Sequence, residues 1–286
     1  MISDITLGQF FPGYSPLHKL DPRSKILLSV VFIVSVFLAN NPASFLLLVI
    51  TTAILIAISR ISFVVVFKGV KPILLIVLIT AIINVFMTKG EGEPLVSFWI
   101  INIYKEGIIR AIFMALRVII LIIGSSLFLT YTTSPISLTD GLESLLSPLK
   151  LIKVPVHTFA MMMSIALRFI PTLVEETEKI MNAQKSRGAD FSSGGLIKRA
   201  KALIPILIPL FVSSFKRAEE LAVAMESRCY RGDKNRTKLV KLQYRGIDLA
   251  FFALALIFLL ALLSLVIVPY KIEPFGILYD VLFYKM

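Results

Sequence analysis

Two short phrases carry the chemistry that this chain can offer to another molecule. Ala183-Gln184-Lys185-Ser186-Arg187 and Ala224-Met225-Glu226-Ser227-Arg228 both read A-x-x-S-R, and an aspartate follows each, Asp190 and Asp233. Each phrase closes a long helix-like stretch. An arginine leaving a helix end is a planar fork of donors that can take a carboxylate or terminal carbonyls bidentately. Two such forks, 41 positions apart, suit a part that docks onto two similar partners. A plainer explanation stands beside this one. Arginine near a helix C-terminus favours the dipole by about 0.3–1 kcal/mol, Gly188 is a natural residue for the position after the cap, and Ser186 and Ser227 are then incidental.

The elements that would position these tips lie in residues 132–245. Leu138, Leu142, Leu145, Leu146 and Leu149 recur at helical spacing and predict an amphipathic helix over Ile136–Leu149. Pro148 and Pro155 bracket a turn. A long helix is expected over 156–186, bent at Pro171, because an interior proline removes a backbone bond and clashes with the preceding turn. Arg187-Gly188 ends it. Ser192-Ser193-Gly194-Gly195 reads as a hinge. A second long helix is expected over 196–228, with bends near Pro205 and Pro209, and a charged connector follows over 231–245. Ile170-Pro171 precedes one tip and Ile208-Pro209 the other, but the proline-to-arginine distances are 16 and 19 residues. That is weak support for a duplicated unit.

The rest of the chain is apolar. Its 286 residues are 57% hydrophobic and its mean hydropathy is +0.87, above the 45–50% apolar content of soluble domains. An integral membrane protein is therefore expected. Spans of about 20 residues are read at 26–39 (extending back towards Leu20), Pro42–Ser59, Val70–Met87 with Pro72 near its start, Gly107–Tyr131 and 246–268. The net charge of +12 does not require nucleic acid, because Lys and Arg gather on the cytoplasmic side of membrane proteins and against anionic lipid. With the N-terminus inside, 24 of the 30 basic residues fall on the cytoplasmic side. Two further apolar stretches, 154–174 and 202–215, are read as cytoplasmic or interfacial helices. The first holds His157 and Arg168, and the second has only 14 residues with two prolines. If both crossed, the basic residues of 175–201 would lie outside. The expected fold is all-α. It has an N-terminal membrane domain over 1–131, a cytoplasmic region of long helices over 132–245, and a last span and tail over 246–286. No removable signal peptide is expected in Met1–Tyr14.

Within the spans, Arg110 and Arg117 are seven residues apart and share a face of the fourth span. Arg110 can snorkel outward. Arg117 lies about 10 Å deeper and needs a partner, either Asn84 or a carbonyl of the bundle. Gly69, Gly107 and Gly124 could allow close helix approach.

Other chemistry is poorly supported. No G-x-x-x-x-G-K-[ST] loop is present to cradle a nucleotide. His18 and His157 are the only histidines and have no metal-ligand spacing around Cys229, the single cysteine, so no intrachain disulfide is possible. An independent secondary transporter would need intramembrane acids or half-helices at the midplane, and the spans hold almost no acids. A membrane enzyme would need paired carboxylates or a nucleophile–base pair.

The chain resembles the T component, the membrane scaffold, of energy-coupling-factor (ECF) vitamin and metal transporters. The resemblance rests on the opening Gly13–Lys25 segment, Leu167-Arg168-Phe169-Ile170-Pro171, Ala183–Gly188 and Ala224–Arg228. The family's paired motifs commonly read Ala-Arg-Gly or Ala-Arg-Ser. Here serines precede both arginines, and Cys229 follows the second. The resemblance implies an L-shaped, non-catalytic subunit of the prokaryotic plasma membrane. Its long helices would be coupling helices. Arg187 and Arg228 would dock in two ABC-type ATPase subunits, which would bind ATP and magnesium themselves. A separate membrane-embedded S component would bind the substrate. No cofactor or metal is expected on this chain.

Overall fold

The structure, a computed structural model, describes residues 10–88, 96–98, 101–191, 195–230, 232 and 242–267. Gly194, Asp233 and most of the expected connector 231–245 lie outside the described residues. The described residues fall into two compact units, one holding 10–134 and 242–267, the other 135–232.

The first unit begins with a short helix, α1 (Pro16–Lys19), capped by Ser15. Asp21 then accepts from the Arg23 N–H and Pro22 occupies the first helical position, so α2 runs over Pro22–Leu38. Asn41-Pro42 repeats the device less completely and opens α3 (Pro42–Ser59), which Arg60 ends in the left-handed region (φ 55). The third apolar stretch forms α4 (Phe63–Met87). It starts seven residues before the expected Val70, so Pro72 is interior rather than near the start. The unexpected first turns hold Phe63, Val64, Val65 and Val66, apolar enough to continue the helix. A two-stranded antiparallel hairpin, β1 (Val96–Phe98) with β2 (Ile101–Ile103), precedes α5 (Lys105–Ser125), which continues as a π-helical turn over Ser126–Tyr131.

Helix α5 is central and packs against α2, α3 and α4. Phe32, Val36, Phe45, Leu48, Ile120, Leu127 and Phe128 form its core contacts. Close approach depends on two glycines. A Cβ at Gly124 would collide with the Phe32 ring, and one at Gly69 with the Tyr131 hydroxyl. The last helix of this unit, α9 (Gly246–Ile267), packs against α2 and α3. Few of its side chains, like those of α4, are buried.

In the second unit the amphipathic helix α6 covers Pro135–Leu145 and stops four residues early. A 3-10 segment follows over Ser147–Ile152, because Pro148 has no N–H with which to continue the α6 ladder. Helix α7 covers Val156–Ser186 and α8 covers Leu196–Ser227. Both are helical throughout, with Pro171 inside α7 and Pro205 and Pro209 inside α8. Gly195, the one described glycine of the expected hinge, is the extended N-cap of α8 (φ −69, ψ 166).

Five described helices are long and apolar enough to cross a membrane: α3, α4, α5 with its π turn, α7 and α9. The number agrees with expectation, but the membership differs by one. Helix α2 is not among the five, although its 17 residues lie at the lower end of the length that can span a bilayer. Helix α7 qualifies, as the least apolar of the five.

Candidate docking site

The two arginine phrases end their helices in the same way. In α7 the Gly188 N–H donates to the Lys185 carbonyl (2.9 Å) and the Ala189 N–H to that of Gln184 (3.0 Å). In α8 the Cys229 N–H donates to the Glu226 carbonyl (2.9 Å) and the Tyr230 N–H to that of Met225 (3.0 Å). Each is a Schellman closure, with the residue after the cap in the left-handed region. Gly188 stands there at φ +87 and Cys229 at φ +58. A side chain in that region costs about 1–2 kcal/mol relative to glycine, so α8 closes against its own residue preference. Arg187 (φ −87, ψ 7) and Arg228 (φ −91, ψ 14) occupy the cap with nearly the same backbone.

Backbone N–H groups thus satisfy the Gln184 and Lys185 carbonyls of α7 and the Met225 and Glu226 carbonyls of α8, and neither arginine is needed for those. Ser186 Oγ donates to the Asn182 carbonyl (3.1 Å) and Ser227 Oγ to the Ala224 carbonyl (3.0 Å), so both hydroxyl protons are spent within their own helices. Arg187 and Arg228 are exposed. Among the described residues neither guanidinium has a hydrogen-bond or ion-pair partner. Each presents its full fork of N–H donors outward. Cys229 is exposed and free.

The two helices meet at matched heights. Arg217 on α8 reaches Glu176 on α7 (3.3 Å), and each lies 11 residues before its tip arginine. At 1.5 Å per residue both tips project about 16 Å beyond this contact. The prolines do not share this register, because Pro171 and Pro209 stand 16 and 19 residues before their arginines. At the base of α7, His157 Nδ1 and Glu143 Oε1 are 2.9 Å apart and both side chains are nearly buried, which fastens α6 to α7.

Arg117, Asn84 and His18 of the first unit make internal hydrogen bonds, while Ser24 Oγ, Ser44 Oγ and the Nε atoms of Arg23 and Arg117 are buried without one. Arg117 Nη2 donates to the Ala39 carbonyl (2.6 Å), and its guanidinium lies over the Phe45 ring (5.4 Å). Ala39 caps α2, so the arginine meets an end-of-helix carbonyl at the negative end of the dipole. Asn84 is not its partner: Asn84 Nδ2 donates to the Thr80 carbonyl of its own helix (2.9 Å). His18 is held by Ser15 Oγ at Nδ1 (2.6 Å) and by the Phe11 carbonyl at Nε2 (2.9 Å).

One cluster went unread in the sequence. Asp248, 1% exposed, accepts from the Asp21 N–H (2.9 Å) and the Arg245 N–H (2.7 Å). Lys25, 2% exposed, donates to the Thr132 carbonyl (2.6 Å). Together they tie α9, the start of α2 and the end of the π turn. The position of Asp248, third in its helix and reaching back to the cap N–H, is half of a capping box and could have flagged it.

Five candidate crossings in an all-α fold place the chain among multi-pass membrane proteins. Its residues 13–239 match the CbiQ family, described as cobalt transport protein. It is 56% identical to the energy-coupling factor transporter transmembrane protein EcfT of Clostridium kluyveri over 248 residues, 87% of this chain and 92% of the relative. The EcfT proteins of Ruminiclostridium cellulolyticum (54%, 91% and 96% covered) and Bacillus subtilis (49%, 92% and 98% covered) are similarly close. The chain belongs to this family, the transmembrane components of bacterial ECF transporters, and is a multi-pass protein of the plasma membrane.

Proposed function

We propose that the chain is the non-catalytic scaffold of an ECF-type importer. It couples ATP hydrolysis by two ABC-type ATPase subunits to uptake of a vitamin or transition metal through a substrate-binding S component. ATP and magnesium belong to the ATPase subunits. Arg187 and Arg228 are the docking points, and α7 and α8 carry motion from them. The observation that carries this reading is a pair of identically framed arginines whose donors have no use within the described chain.

Both tips then face the cytoplasm. Helix α7 qualifies for a crossing by length and composition, but α8 does not. With α2, α3, α4 and α5 all crossing, a crossing by α7 alone would put α8 and its basic residues on the opposite side from Lys19, Arg23, Arg60 and Lys68, against the positive-inside trend.

The test is co-purification of the full chain with its partners. Arg187→Ala or Arg228→Ala should weaken ATPase association, and the double change should abolish both association and transport while the protein still inserts and elutes normally. A double variant that holds two ATPase subunits and transports at the wild-type rate sinks the assignment.

A further inference from the structure

The tips share a backbone and an arginine but differ in charge. With Arg187 aligned to Arg228, Lys185 aligns with Glu226 and Lys179 with Glu220. All four are exposed, and among the described residues none has an ion pair or side-chain hydrogen bond. Glu175 and Lys216 stand one turn before Lys179 and Glu220 at a spacing that permits intrahelical pairs, but neither pair is within ion-pair distance. These charges are therefore available to a partner.

Glu226 is the telling position. Lys185 sits in the last turn of α7, where a cation suits the carbonyl end of a helix. Glu226 places a carboxylate in the same turn of α8, which has no basic residue there. It opposes the dipole, and the carbonyl beside it already closes the Schellman motif through Cys229. Residues that break a local rule without a structural return concentrate at functional or strained positions. Basic residues follow α8 from Arg231 onward in the sequence, so the acidic character of this tip is confined to the helix.

We infer that these charges allot the docking partners, resting on the assignment of the tips to ATPase docking. The α7 tip takes the ATPase subunit whose arginine-accepting groove is rimmed by carboxylates. The α8 tip takes the one whose rim carries Lys or Arg. The shared arginine supplies contact at both, and Lys185 and Glu226, backed by Lys179 and Glu220, supply the choice. Rim charges act mainly on partner selection and encounter, and repulsion of the wrong partner is as effective as attraction of the right one. The two ATPase polypeptides are thereby seated in one orientation.

The test uses the complete complex with a photo-crosslinking phenylalanine analogue at Asn182 or at Val223, equivalent exposed positions on the two helices. Mass spectrometry identifies the ATPase polypeptide captured at each tip. In the parent complex each tip should capture one polypeptide. Lys179→Glu and Lys185→Glu combined with Glu220→Lys and Glu226→Lys should shift the capture ratio at both tips roughly tenfold towards exchange. The shift should shrink at 1 M salt, where the screening length is about 3 Å. Unchanged allocation in the swapped complex, equal capture of both polypeptides at each parent tip, or two copies of one polypeptide as partners would overturn the inference. Lys185→Glu and Glu226→Lys alone should each lower capture at their own tip only, which keeps the test informative if the fourfold variant assembles poorly. Arg187→Ala and Arg228→Ala separate the two levels. If they leave ATPase capture intact, the docking assignment itself fails. If they abolish capture while the charge swap changes nothing, only the charge inference fails.

Discussion

Arg117 and Arg187 are the same side chain put to opposite uses. Arg117 sits in a membrane-crossing helix, where its guanidinium meets the end carbonyl of α2 and the face of Phe45. Arg187 and its counterpart Arg228 stand at helix ends that the backbone itself closes, and neither guanidinium has a partner among the described residues. The contrast extends to the units that hold them. The first unit buries Lys25 and Asp248 and uses them to join helices. The second keeps its terminal charges outside. A charged group in an apolar setting is held by at least one partner, because a wholly unpaired one costs the full desolvation penalty. Where water satisfies the donors, pairing is optional, and an arginine left free is available for an external contact.

The largest expected effect tests the buried side of this contrast. Asp248→Ala strips the Asp21 and Arg245 N–H groups of their acceptor and leaves Lys25 buried with less compensating charge. A loss of about 3 kcal/mol or more is expected, seen as a lower melting temperature in detergent. Asp248→Asn, which keeps one carbonyl acceptor, should lose less. Gly124→Val drives a side chain into Phe32 and should cost about 1–3 kcal/mol, with partial recovery when Phe32→Ala is added.

Arg117→Ala should cost about 1–2 kcal/mol through the lost charged hydrogen bond and ring contact. Arg187→Ala and Arg228→Ala should each change stability by less than about 0.5 kcal/mol while lowering ATPase association. Equal destabilisation at all three positions would break the comparison.

The smallest effects sharpen the likeness of the two tips. Cys229→Gly should relieve the left-handed strain at α8 by about 1 kcal/mol, and Gly188→Ala should impose a similar cost at α7. Slower amide exchange at Tyr230 and faster exchange at Ala189 are the readouts. Glu176→Gln should cost less than about 1 kcal/mol, since the pair with Arg217 is about one-third exposed. A spin-label distance between Asn182 and Val223 positions should broaden if the pair holds the arms in register.

The helix ends were the most legible part of the fold. Asn41-Pro42 placed the start of α3, and Arg187-Gly188 placed the end of α7, because caps act within a few residues. Local signals misjudged α4, where a continuous apolar run offers no marker for the first turn, and α6, where Pro148 stopped a leucine pattern that ran past it. The two arginine tips were legible because they repeat. The Lys25–Asp248 cluster was not, because its members are more than 200 positions apart in the sequence.

The sequence by itself determined the class of protein: apolar stretches long enough to cross a bilayer, basic residues gathered in matched segments, and a twice-written arginine phrase. These follow from transfer energies and local geometry, which need no knowledge of distant neighbours. Tertiary structure decided which polar groups are spent and which remain free. It turned Arg117 to Ala39 rather than Asn84, set Glu176 against Arg217 at equal distance from both tips, and left Arg187 and Arg228 without a partner among the described residues. Pairing depends on what packing brings within about 3 Å, and only the folded chain makes that choice.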